Sequence, residues 1–185
     1  MNIPTYESPA LYCSTYGKYN AGSLTGEWLQ LNDYTDEVIF WADCKQIHKG
    51  EHDPEFMFQD MSDLPRELYQ ECGLHPELFN WLALDDDHRQ LVAILLRQGW
   101  DAANAIEAAQ EGTVHLYEGR LDFFAHEQID ALYEHNLPDH LIDAEAYARD
   151  DIFNGEVALV KPSGVENPLN YITADWAVWL IGANQ

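Results

Sequence analysis

The chain has 185 residues, enough for one ordinary domain or two to three very small ones. Hydrophobic residues make up 46% and aromatic residues 12%, with six Trp, which excludes wholesale disorder and predicts a packed core. Against 9 Lys and Arg stand 33 Asp and Glu, a net charge of -24; this excludes nucleic acid and anionic lipid as partners, since both need Lys and Arg, and points to something basic.

Residues 1–61 read as α+β. Ala10 to Tyr16 is an apolar, aromatic strand, and Leu24 to Leu31 alternates Leu24, Gly26 and Trp28 against Thr25, Glu27 and Leu29. Gly17, Asn20 and Gly22 between them supply turn chemistry, so the two runs predict a hairpin with a wide loop. Asn32-Asp33 and Thr35 offer caps for a helix in which Val38, Phe40, Trp41, Cys44 and Ile47 recur at helical spacing, ended by Gly50. Phe56 to Gln59 is a short third strand.

Residues 62–112 read as wholly helical. Ser62-Asp63-Leu64-Pro65 is a cap followed by Pro, with Leu64, Leu68 and Cys72 at four-residue steps. Pro76 to Leu84 gives a second short helix. Asp85-Asp86-Asp87 opens a third, where carboxylates complement the positive helix end, and it runs to Gly99. Asp101 caps an Ala-rich fourth that closes at Gly112.

Residues 113–185 return to α+β. Thr113 to Tyr117 and Leu121 to Phe124 read as strands about Glu118-Gly119. Helices are expected from Glu127 to His135 and from Pro138 to Asp150, then strands over Glu156 to Lys161 and Ile172 to Ile181. The fold class is therefore α+β: three small consecutive domains (α/β, all-helical, α/β), with soft boundaries near residues 61 and 112.

The acids are spread almost evenly. Residues 1–60 hold 3 basic and 10 acidic side chains, residues 61–112 hold 3 and 10, and residues 113–185 hold 3 and 13. Many fall where exposure is expected: Asp33, Asp36, Glu37, Asp43, Glu51, Asp53 and Glu55, then Asp85, Asp86 and Asp87, then Asp139, Asp143, Glu145, Asp150 and Asp151. Duplex DNA carries one charge per ~1.7 Å of axis, so 24 charges facing one way would match roughly 40 Å of duplex. Solubility, or a high-salt cytoplasm, would produce the same bias.

Catalytic signals are sparse. His48, Glu51 and His52 match H-x-x-E-H, the inverted zinc-peptidase pattern, and make a zinc hydrolase the third reading. Gly50 inside the motif and Pro54 after it place the segment at a fraying helix end, which predicts two solvent-facing His instead. No phosphate or dinucleotide fingerprint is present. We expect no enzyme, no catalytic residue, no metal and no cofactor. Three cysteines, Cys13, Cys44 and Cys72, form no CxxC pair and read as reduced, mostly buried thiols. With neither a signal-peptide layout nor a membrane-length apolar run, a cytoplasmic location is expected.

Three strings carry a resemblance. Tyr19-Asn20-Ala21-Gly22-Ser23-Leu24-Thr25-Gly26-Glu27-Trp28 resembles the Y-N-x-G-x-L-x-G-x-W opening of the ArdA antirestriction proteins. Asp53 to Asp60 is similar to the segment closing that family's first domain, and Glu145-Ala146-Tyr147-Ala148-Arg149-Asp150 to its Y-E-A-Y-A-R-D-L element. Ala144 and Asp151 replace the family's flanking Tyr and Leu.

The resemblance implies an elongated mimic of duplex DNA, from a mobile element in a bacterial host. It implies occupation of the DNA-binding channel of type I restriction–modification enzymes, inhibition of cleavage and often of methylation, and a homodimer formed through the C-terminal domain. The family's antirestriction region maps to Ile129 to Glu145, with Asp130, Glu134, Asp139 and Asp143. Tyr19, Gly22, Gly26 and Trp28 are expected to set the hairpin and core, and Arg149 to pair with Glu145 four residues back. The alternative is an acidic module for another basic DNA-binding protein or defence complex.

Overall fold

Strand β1 (Ala10–Thr15) buries every side chain except the half-buried Tyr12, because it is the middle strand of a three-stranded sheet of order β2-β1-β3. The structure, a computed structural model, describes residues 5–133, 138, 141–161, 167–174 and 177–182. Strand β2 (Glu27–Gln30) pairs antiparallel with β1, Cys13 opposite Glu27 and Ala10 opposite Gln30, as the hairpin predicts. Its wide loop contains a short helix, α1 (Tyr16–Asn20), capped by Thr15 Oγ1, which accepts from Lys18 N. Strand β3 (Phe56–Ser62) covers the other edge of β1, with a register shift at Tyr12/Cys13.

Helix α2 (Glu37–Ile47) starts one residue after its cap. That cap is Asp36, whose Oδ1 accepts from Val38 N at 2.9 Å and Ile39 N at 3.0 Å, and not Asn32-Asp33 or Thr35. Leu31–Asp33 is taken up in a separate 3-10 turn with Leu31 fully buried. Phe40 and Cys44 point inward, and the rings of Tyr34, Trp41, Phe58 and Phe79 surround Phe40 at 5.2–6.4 Å between centroids.

The helix expected from Ser62 through Cys72 does not form. Pro65 is extended and leads into a single 3-10 turn, Arg66–Leu68, beyond which the chain runs beside β3. Phe58 N donates to Glu71 O at 2.8 Å, and the Tyr69 hydroxyl donates to Phe58 O. The edge of β3 has backbone groups to satisfy, and this segment satisfies some of them. The later helices follow expectation: α3 (Leu78–Leu82), α4 (Asp86–Arg97) and α5 (Ala102–Glu111). Asp85 Oδ1 caps α4 through His88 N at 2.9 Å, and Asp101 Oδ1 accepts from Ala103 N and Asn104 N. All six residues from Leu91 to Leu96 are buried, so α4 is a core helix over that stretch.

The chain divides into two compact units, Met1–Glu107 and Ala108–Gln185, the division falling within α5. Inside the first unit the rings of Phe40 and Phe79 cross the soft boundary near residue 61, as do those of Tyr6 and Trp81, 5.5 Å apart. The Tyr6 hydroxyl also accepts from Arg97 Nη2 at 2.7 Å.

The second unit holds β4 (His115–Glu118), α6 (Leu121–Leu132), α7 (Ala144–Asn154), β5 (Val157–Lys161) and β6 (Val178–Ile181). Its antiparallel sheet has the order β4-β6-β5, with Ile181 opposite both His115 and Val157. Leu121 to Phe124, expected as a strand, is instead the first turn of α6, because Leu121, Ala125 and Ile129 are buried at four-residue steps. The second helix begins at Ala144, not Pro138, with Asp143 as cap, and passes Asp150 to a left-handed Gly155 at φ 78°. Of the run Ile172 to Ile181 the last four residues are strand. Leu121, Ala125, Ala148, Val157, Ile172, Ala177 and Trp179 form the core, and Trp179 Nε1 donates to Gly119 O at 3.1 Å. The architecture is α+β, and among the described residues no helix is long and apolar enough to cross a membrane.

Candidate partner-binding surface

A carboxylate that already serves the fold is less available to a partner, so the acids separate by what their oxygens touch. Asp36, Asp85 and Asp143 stand at helix starts and accept backbone N–H groups; Asp143 Oδ1 takes Ala146 N at 3.0 Å. The backbone N–H of His88 and its imidazole, 2.7 Å from Oδ2, hold the Asp85 carboxyl below its ordinary range. Asp43 accepts the Tyr34 hydroxyl at 3.1 Å; burial and that bond push the Tyr34 phenol up. Glu145 Oε2 pairs with Arg149 Nη2 at 3.1 Å, one helical turn away as its spacing predicts.

Glu51 is the most heavily engaged acid. Its Oε2 accepts from the buried Thr15 hydroxyl at 2.7 Å, while Oε1 lies 3.3 Å from Lys18 Nζ and 3.1 Å from His48 Nδ1. Desolvation opposes ionisation there, but the bonds from Thr15, Lys18 and His48 outweigh it and hold the carboxyl below its ordinary range.

Seven acids are displayed instead. Asp33, Glu37, Asp53, Glu55, Asp86, Asp87 and Asp150 are exposed and make no ion pair among the described residues. Asp130 is half-buried on α6, while Glu134 and Asp139 lie outside the described residues. Asp151 is half-buried; desolvation, then the charges of Glu156 and Asp150, raise its carboxyl above the ordinary range. The structure thus brings Asp85 to Asp87 together at the head of α4, and Asp150 and Asp151 together with Glu156 at the foot of α7. It distributes the rest. Glu156 is not among the acids the sequence singles out, since Glu156 to Lys161 reads as a strand; β5 begins one residue later, at Val157. The excess is shared: residues 1–107 carry 6 basic and 19 acidic side chains, and residues 108–185 carry 3 and 14.

The H-x-x-E-H residues are not two solvent-facing His. Helix α2 ends at Ile47, so His48 is its C-cap; its side chain is buried against Phe56, with Nδ1 2.8 Å from Lys18 Nζ. His52 is exposed beyond the helix, so the two imidazoles do not share a helical face. Among the described residues, no group of three or more His, Cys, Asp and Glu is placed to hold a metal ion. Cys13 and Cys44 are buried thiols within hydrogen-bonding reach of each other, whereas Cys72 is exposed.

The hairpin string also splits by role. A Cβ on Gly26 would stand 2.3 Å from Cys13 O, and Gly22 sits at φ 78°, so both glycines are required by the backbone. Tyr19 and Trp28 do not join the core. They are about half exposed, Trp28 meeting the edge of Tyr12 at 5.4 Å, and Leu29 is the residue of β2 that turns inward.

These features sit within the span of a family match. The family profile described as antirestriction protein (ArdA) matches residues 11–166, from the second residue of β1 to beyond the end of β5. None of the curated proteins matches the chain. Residues after the match supply β6, the middle strand of the second sheet, together with the buried Trp179. With most of its length covered, the chain belongs to the ArdA family of antirestriction proteins.

Proposed function

We propose that the protein acts as a mimic of duplex DNA that occupies the DNA-binding channel of a type I restriction–modification enzyme and blocks cleavage. The observation that carries this reading is the set of exposed carboxylates, Asp33, Glu37, Asp53, Glu55, Asp86, Asp87 and Asp150, that meet no cation of their own chain among the described residues. A DNA channel is lined with Lys and Arg, whose phosphate partners such carboxylates replace, steering fast association. The acids that cap helices or pair locally contribute to the same field but are held in place by the fold. The segments 1–61, 62–112 and 113–185 each present acids, so the imitation is distributed, and a homodimer joined through the last segment would double its length. The setting is the bacterial cytoplasm, and the mode of action is binding, without catalysis or cofactor.

The test is cleavage of unmodified plasmid by a purified type I enzyme, titrated with the protein at low and at moderate salt. Near-stoichiometric inhibition is expected, weakening about tenfold or more over a fourfold rise in salt, because each released counterion adds to the slope. Single Asp→Asn changes among the exposed acids should each shift the inhibitory concentration by about twofold or less. Full inhibition that ignores salt, or that one such change abolishes, overturns distributed mimicry. A folded protein that fails to inhibit would move the function to another basic partner.

A further inference from the structure

Helices α6 and α7, the start of β5 and the residues Ile181 and Gly182 line an open groove of about 480 Å³, within the roughly 300–1,000 Å³ typical of ligand pockets. Phe124, Leu132, Tyr147 and Val157 give it apolar walls, and Asp151 and Glu156 open into it. The two features conflict. Leu132 is 71% exposed and Tyr147 37%, so apolar surface stands uncovered. Beside it lie two carboxylates, the half-buried Asp151, drawn partly out of water, and the exposed Glu156, neither with a Lys, Arg or His partner among the described residues.

One occupant resolves both. A guanidinium group is planar, weakly hydrated and always charged, so it can lie flat on Tyr147 and Phe124 while its edge donates to Asp151 and Glu156. An ammonium group is a compact, strongly hydrated point charge that loses more on entering apolar walls. A second copy of this chain is a poor occupant, since it brings only 9 basic residues against 33 acidic ones. We propose that this groove receives an arginine side chain of the basic partner. The partner's basic character rests on the function proposed above; the groove's preference for guanidinium does not.

Nuclear magnetic resonance titration with Nα-acetyl-arginine amide and Nα-acetyl-lysine amide tests this on the full chain. The arginine compound should shift the amides of Tyr147, Val157 and Gly182 and bind about fivefold tighter than the lysine compound. D151N together with E156Q should weaken that binding about tenfold, while D86N together with D87N, the same loss of charge elsewhere, should change it by about twofold or less. Neutralising Asp151 relieves a desolvated charge, so the first variant should fold, and an unchanged amide spectrum away from the groove verifies it. Equal binding of the two amides, equal loss in both double variants, or shifts scattered over the surface would overturn the proposal. Plasmid cleavage separates the two readings. A wild-type protein that fails to inhibit cleavage but binds arginine in the groove refutes the mimicry alone. One that inhibits fully with no arginine preference refutes the groove alone.

Discussion

Glu51 shows how one acid in a very acidic chain can serve the fold before any partner. It ties the end of β1 through Thr15, the helix α1 through Lys18 and the C-cap of α2 through His48. Its carboxyl is held below the ordinary value of 4.5, so the folded state binds the proton less readily than the unfolded state does. The stabilisation is therefore fully present above about pH 4.5 and is lost as the pH falls through the lower folded value. Urea denaturation of wild type and Glu51→Gln should differ by about 1 kcal/mol at pH 7, with the gap closing as the pH drops below 4.5. A gap that stayed constant with pH would mean that shape, and not charge, is what Glu51 supplies. None of this was legible in H-x-x-E-H, because the motif's spacing says nothing of Thr15 or Lys18, which arrive from 30 or more positions away.

Elements were legible where chemistry at their ends was explicit. Helices α4 and α5 each begin after an Asp cap and give way to a glycine at positive φ, Gly99 and Gly112, and both formed where the sequence placed them. Short apolar runs without such ends were misread, as at Leu121 to Phe124, since four residues fit a strand and a helical turn equally well. The caps allow a test that separates structural from displayed acids. On α7, Asp143→Ala removes the cap and should cost about 1 kcal/mol in urea denaturation. Asp150→Ala removes the same charge from an exposed position near the negative helix end, and should leave stability unchanged or raise it by a few tenths of a kcal/mol, about 0.3. Equal losses would mean that α7 responds to charge and not to capping.

At the scale of the whole molecule, a net charge of -24 must repel itself, with ion pairs such as Lys18–Glu51, Arg120–Asp122 and Arg149–Glu145 to moderate it. Salt should therefore have opposite effects on fold and function. Raising sodium chloride from about 0.05 to 0.5 M shortens the Debye length several-fold and should raise the melting temperature by about 5 °C, while weakening inhibition over the same range. A melting temperature indifferent to salt would show that the carboxylates are too dispersed to strain the fold.

The sequence by itself determined what is local or summed. The charge excess and its even spread, the Asp-capped helices α4 and α5, the two hairpin glycines and the family motifs are all properties of composition or of neighbours in the chain, and no folding is needed to read them. The tertiary structure alone decided what depends on distant partners. It inserted β6 between β4 and β5, set the 66–71 stretch beside β3, buried His48 and left Trp28 outside. It also separated the acids bonded within the fold from those displayed, and set Asp151 and Glu156 on the groove that α6, α7 and β5 line. Periodicity shows which face of a segment wants cover, but the segment that supplies the cover is selected by packing across the chain.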